Sequence, residues 1–281
     1  MMDQESLQQF RAEVAGRRNL PTIPSVVTEV LSLVDGESTN ARRLVEVIEK
    51  DVALTARTLR LANSAYFGQQ RQVATIPRAV MVLGFSTVRN LAFGVKVWES
   101  LGTGVARKRI EDLWAHAVLV AFLSRRVASV MRIADPDECF TSGMVHDVGR
   151  VLIASRFGDD YWNLVPEDPA IPLDAVEREH LGTDHAEVGG WLLEAWNLPT
   201  GIVDGVRRHH EMPKRPSVGR VLAITNRLIH LTDWTASELT PHGTVLIESV
   251  QESGLDSERW LKLVGEVREK DPVASMGSLG A

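Results

Sequence analysis

Apolar residues recur three and four positions apart through most of this chain, the period of a helix with one buried face. Leu44, Val47 and Ile48 follow this spacing, and Leu54, Thr58, Leu61 and Ala62 continue it after Asp51, a good N-cap residue. Ser86 is placed to cap the next run, through Val88, Leu91, Ala92 and Val95, and Pro24 and Pro77 suit a first helical turn. A long amphipathic helix is predicted over 108–130, with His116 near its middle. Pro136 opens the next helix, which runs to His146-Asp147, where Gly149 allows close backbone packing. Pro166, Pro169 and Pro172 mark a loop. Asp184 caps a helix holding His185, Val188, Leu192 and Leu193. Pro199 begins another that ends at His209-His210, ahead of Pro213 and Pro216. A further helix is predicted over 218–231 and two short ones after Trp234. No series of alternating strands is found, so the expected fold class is all-α.

The stretch Leu101-Gly-Thr-Gly-Val105 interrupts the helical pattern. It predicts an N-terminal helical part over 1–103, a histidine-bearing helical bundle over 104–235, and a C-terminal helical extension over 236–281. The small, weakly patterned residues 273–281 are expected to fray. No internal repeat is evident.

Composition narrows the function classes. A net charge of −6 argues against a broad nucleic-acid surface. Arg207-Arg208 and Lys214-Arg215, the nearest thing to a basic patch, read as a solvated helix end. The longest unbroken apolar run, Ala117–Leu123, is far short of a membrane span. The opening Met-Met-Asp-Gln-Glu is unlike a signal peptide. Cys139 is the only cysteine, so no intramolecular disulfide forms, and a cytoplasmic location is the simplest expectation.

Six of the eight histidines fall between positions 116 and 210. His146 and Asp147 are adjacent and supply two metal-ligand types within one turn of backbone. His116, His185, His209, His210 and Asn226 lie on four other predicted helices or helix ends. Asp147 has two oxygens and could bridge two ions. Adjacent His209 and His210 would point about 100° apart on a regular helix, so they can serve one metal only at a relaxed helix end. A single helical histidine is more often a surface or hydrogen-bonded core residue than a ligand. His180 is read as a solvated loop residue, His230 and His242 as surface groups, and Trp114, Trp191 and Trp196 as core anchors.

An ordered series of short motifs resembles the HD superfamily, and within it the HD-related output domain (HDOD). The series begins with Leu20-Pro-Thr-Ile-Pro-Ser25, Ile48-Glu-Lys-Asp-Val-Ala-Leu-Thr55 and Leu59-Arg-Leu-Ala-Asn-Ser-Ala-Tyr66. Thr75-Ile-Pro-Arg-Ala79, Val82-Leu-Gly84 and Leu113-Trp-Ala-His116 follow. Gly143-Met-Val-His-Asp-Val-Gly149, Asp184-His-Ala-Glu-Val-Gly189, Trp196-Asn-Leu-Pro199 and His209-His210 complete it. The resemblance covers about residues 16–232. It implies an HD-domain-like helical bundle with an N-terminal helical subdomain, serving as a bacterial signal-transduction output module. The related HD-GYP phosphodiesterases cleave a cyclic dinucleotide with two or three metals. Their ligand pattern maps onto His116, His146, Asp147, His185, His209, His210 and Asn226.

Three departures bear on chemistry. Asn226 stands at a position where the active pattern has an aspartate, Arg150 stands in place of a lysine, and the Gly-Tyr-Pro segment is absent after Glu211. The half-site of Asp147, His185, His209 and His210 is complete, while that of His116 and His146 has lost its carboxylate. The first expectation is a regulatory domain that works through a protein partner of a signalling pathway, without hydrolase activity. It would bind one or two divalent transition metals (Fe, Mn or Zn) at a degenerate site, bind neither membrane nor nucleic acid, and allow a homodimer. The alternative is a metal-dependent phosphohydrolase in which Asp147 bridges the metals and Arg150 stabilises phosphate charge.

Overall fold

A computed structural model describes residues 4–15, 25–33, 38–65, 67–68, 72–101, 104–168, 171–230, 254, 257–269 and 271–276. Among these residues there are helices and no strand, as the periodicity predicts. In chain order the first six are α1 (Gln4–Ala15), α2 (Ser25–Ser32), α3 (Ser38–Glu49), α4 (Val52–Ala62), α5 (Ile76–Leu83) and α6 (Phe85–Leu101). Then come α7 (Arg107–Met131), α8 (Pro136–Val145), α9 (Val148–Phe157), α10 (Asp159–Leu164) and α11 (Leu173–Leu181). The rest are α12 (His185–Ala195), α13 (Thr200–Arg207), α14 (Val218–His230), α15 (Ser257–Glu269) and α16 (Pro272–Met276).

The local signals act largely as the sequence suggests. Asp51 accepts from the Leu54 amide at 2.9 Å and caps α4. Asp184 caps α12 through the Glu187 amide. Pro136 opens α8 behind Asp135, whose carboxylate caps the Asp137 and Glu138 amides. Ser86 differs: α6 already starts at Phe85, so Ser86 lies inside the first turn. The break falls instead at Gly84, whose φ of 84° and ψ of 149° only glycine adopts readily, and α5 and α6 meet there at 109°. Four helices escape the sequence reading: α1, α9, α10 and α11. His180 therefore sits on a helix rather than in a loop, although it is exposed as expected. Fraying from Val273 is not what is found: Pro272–Met276 is helical and Met276 is fully buried. Pro24, Pro169, His242 and 231–253 lie outside the described residues, as do 20–24, 66, 102–103 and 277–281, and the His230 side chain is not described.

The central helix is α7. By length and composition it could cross a membrane, but its apolar window is 61% buried inside the protein. It packs against α8, α14, α15 and α16, while α8 also meets α6, α13 and α14. One hydrophobic cluster runs from Phe10 in α1 to Met276 in α16. Two contacts fix α8, and with it the His-Asp turn. A Cβ at Gly143 would stand 2.7 Å from the Ala121 Cα, so α8 lies directly on the backbone of α7. Trp98 of α6 donates its indole N–H to the Met144 carbonyl at 2.6 Å and stacks edge-on against Trp114. Trp114, Trp191 and Trp196 are all buried in the core.

Candidate metal centre

The turn between α8 and α9 carries His146 and Asp147 at the buried heart of the bundle. His116 reaches it from α7, His185 from the first turn of α12, and Asn226 from α14. His209 and His210 follow the end of α13, which closes at Arg207. They sit in a turn rather than on a helix, and both rings reach His185. All seven sequence-selected ligand candidates therefore lie within one neighbourhood.

Hydrogen bonds fix which ring nitrogens face the centre. The Nδ1 of His146 lies 2.8 Å from the Gly143 carbonyl and that of His209 lies 2.6 Å from the Val206 carbonyl. The Nδ1 of His185 lies 2.6 Å from a Glu177 carboxylate oxygen. Each partner only accepts, so each Nδ1 carries the proton and each Nε2 is left for the centre. These three Nε2 atoms stand 3.4, 3.6 and 3.3 Å from Asp147 Oδ1 for His146, His209 and His185 respectively. His185 Nε2 is also 3.2 Å from His209 Nε2 and 2.8 Å from His210 Nε2. Converging acceptors repel unless a proton or a cation lies among them. Ligand atoms around a divalent ion at about 2.1 Å stand about 3.0–3.5 Å apart, close to the spacings here. His146 Nε2 is buried with no hydrogen-bond partner. A metal would supply that partner, and the donor set fits one.

Two adjacent groups have metal-ligand geometry. One is His185, His209 and His210; the other is His116, His146 and Asp147. They are electrostatically unlike. Burial pushes His116 and His146 down to about 4 and moves His210 well below the ordinary value, so these rings are neutral. Burial works against charge at His185 as well, but Glu177 and Asp147 outweigh it and push that ring up to about 10. Burial would raise Asp147, yet His146, His185, His209 and Arg150 together hold its carboxyl well below the usual range. The His185 side thus already concentrates positive charge between two carboxylates.

On the other side, Asn226 and Arg150 have specific partners. His116 Nε2 lies 2.9 Å from Asn226 Oδ1. Arg150 places Nη1 3.3 Å from Asp147 Oδ2 and donates from Nε to the Tyr161 hydroxyl at 3.2 Å. Sequence reasoning missed Tyr161 and Glu177. Both Glu177 oxygens are used: one accepts from the Tyr161 hydroxyl at 2.7 Å, the other from the His185 amide at 2.8 Å as well as from its ring. A cavity of about 580 Å³ opens onto Asp147, Arg150, His185, His209, His210 and Asn226. It is also lined by residues 165–168 and 171–175, including Val165 and Ile171.

An all-α bundle that buries a convergent histidine–carboxylate cluster defines a helical module with an HD-type site. The family profile of the HDOD domain matches residues 20–212, and the chain belongs to that family. An uncharacterized protein of Treponema pallidum (strain Nichols) is 26% identical over 274 residues, which is 94% of this chain. The chain spans about half of that relative, 52% of its length. A crystal structure of a protein from Shewanella amazonensis SB2B, provisionally named a phosphohydrolase, has a TM-score of 0.72 and 25% identity. It covers 97% of this chain and 98% of its own. An HDOD domain protein of unknown function from Geobacter sulfurreducens shares the fold, with a TM-score of 0.69, 24% identity and 99% of each chain covered.

Proposed function

We propose that this chain is a regulatory signalling module that acts through a protein partner and holds one divalent transition metal ion without hydrolysing phosphoesters. The observation that carries this reading is the state of the second half-site. Asp147 Oδ2, the oxygen a bridging carboxylate would offer a second ion, faces the Arg150 guanidinium instead. The Asn226 group that faces His116 is a neutral amide. Beyond the shared Asp147, that side therefore offers no second carboxylate, among the described residues, to balance the charge of a second divalent ion.

Asp147, His185, His209 and His210 would hold the single ion, with His146 Nε2 turned toward them. Fe, Mn and Zn all accept imidazole and carboxylate ligands. When bound, such an ion acts as a Lewis acid and ties the α8–α9 turn, α12 and the α13 end together. The chain's own residues fix the ring tautomers and screen the centre within the bundle.

A second reading, metal-dependent phosphohydrolase, is favoured by one observation: the cavity reaches the cluster and would admit a substrate to it. The provisional name of the Shewanella relative fits that reading too. Purified protein assayed with phosphomonoesters, nucleotides and cyclic dinucleotides under Mn, Fe, Mg and Zn decides between them. The regulatory reading expects no turnover. Robust hydrolysis that Asp147→Ala abolishes would establish the hydrolase.

A further inference from the structure

Asp147, Arg150, Tyr161, Glu177 and His185 form a closed ring of polar contacts. Starting at Asp147, Oδ2 faces Arg150 Nη1 at 3.3 Å, and Arg150 Nε meets the Tyr161 hydroxyl at 3.2 Å. Tyr161 donates to Glu177 Oε1 at 2.7 Å, and Glu177 Oε2 accepts from His185 Nδ1 at 2.6 Å. His185 Nε2 returns to Asp147 Oδ1 at 3.3 Å. Five structural elements contribute one residue each: the α8–α9 turn, α9, α10, α11 and α12.

We propose that Tyr161 and Glu177 are positioning residues of the cation site, which through this ring hold His185 and Asp147 in ligating orientation. The inference rests on the metal-binding reading above. Three observations support it. Glu177 is fully buried, and a carboxylate is costly to bury unless it is paired. Its three donors are the His185 amide, the His185 ring and the Tyr161 hydroxyl, so the pairing is directed at one residue of the centre. Arg150 uses two different nitrogens for two acceptors, a bridge that the single ammonium of lysine cannot reproduce in this geometry. Finally, the cavity-lining residues 165–168 follow Tyr161 and 171–175 precede Glu177 in the chain, so the ring ties both lining segments to the centre. An ordered second partner on a ligating histidine fixes its tautomer and ring orientation, and its loss weakens metal binding about 10–100-fold.

The test uses full-length protein stripped of metal and titrated with cobalt(II) against a competing chelator. The variants are Tyr161→Phe, Glu177→Gln and Arg150→Lys. Asp51→Ala, in the remote cap of α4, serves as a control that lowers stability without touching the ring. Tyr161→Phe leaves the Glu177 bonds to His185 intact and keeps the ring volume, so it separates positioning from simple helix capping. The expected result is a loss of cobalt affinity on the order of 10-fold for Tyr161→Phe and Arg150→Lys, and up to about 100-fold for Glu177→Gln. The cobalt absorption bands should shift in all three, and Asp51→Ala should bind as the parent does. Folded variants that bind cobalt with parental affinity and spectrum overturn the proposal. If Glu177→Gln fails to fold, Tyr161→Phe decides. If the parent itself takes up no cobalt, the metal reading fails, and nitrogen-15 NMR of His185 then judges the ring. Ring nitrogen shifts of His185 that move in Tyr161→Phe uphold it; identical spectra overturn it.

Discussion

A Cβ placed on Gly149 would stand 1.9 Å from the carbonyl oxygen of His185. The start of α9 therefore lies directly against the first turn of α12, and this contact sets Asp147 beside the His185 ring. Gly149 is required for close approach and not for an unusual φ, since it is part of a regular helix. Gly149→Ala must push the two helices apart, at a cost of about 1–3 kcal/mol. We expect a lower melting temperature together with loss of bound metal. A variant that keeps its metal while losing stability would show that the packing and the site are independent.

Asn226→Asp tests the damaged half-site. It places a carboxylate next to His116 Nε2, where the amide oxygen now lies 2.9 Å away. Metal content measured on tag-free protein should rise from one equivalent toward two. A variant still at one equivalent would mean that Arg150, and not Asn226, excludes the second ion.

Acid stability has a separate handle in the N-terminal helices. Lys96 pairs with both Asp51 and Glu99. Burial alone would raise Asp51, but the Lys96 and Leu54 hydrogen bonds outweigh it and bring the carboxyl below its ordinary 3.8. A depressed carboxyl stabilises the fold above its unfolded pKa, and that contribution disappears as pH falls through the folded value. Asparagine can still cap α4 but cannot pair with Lys96, so Asp51→Asn isolates the charge. Melting curves should show a gap between parent and Asp51→Asn at pH 7 that closes below pH 3.8. Asp51→Ala should lose about 1 kcal/mol more through the missing cap.

Cys139 should be inert in the native protein. Its side chain is fully buried in α8, and burial pushes the thiol up to about 12. Thiolate is the reactive form. A disulfide reagent at pH 8 should therefore label one thiol per chain only after denaturation. Rapid labelling of folded protein would indicate that α8 opens, and with it the His-Asp turn.

The sequence made α7 legible almost to the residue, 108–130 against Arg107–Met131, because buried apolar positions recur from Ile110 to Ala128, although Ala106 at its N-cap makes no side-chain bond. It also pointed to the histidines, since ligand types can be seen without coordinates. Tyr161 and Glu177 were hidden for a physical reason. On α11 the buried positions are Asp174, Glu177 and Leu181, a stripe that is mostly polar. Hydrophobic periodicity cannot find such a face, and nothing local distinguishes Glu177 from the exposed Glu179 two residues on. The partners that bury it, His185 and Tyr161, are supplied by the tertiary fold.

On the proposed reading, one cation, and only one, belongs to this centre. Anomalous diffraction from crystals of tag-free protein, collected across the Mn, Fe and Zn edges, tests it most directly. We expect a single peak enclosed by Asp147, His185, His209 and His210, with no density of that kind between His116 and Asn226. Two peaks bridged by Asp147, or no peak in protein whose helices are intact, would contradict it.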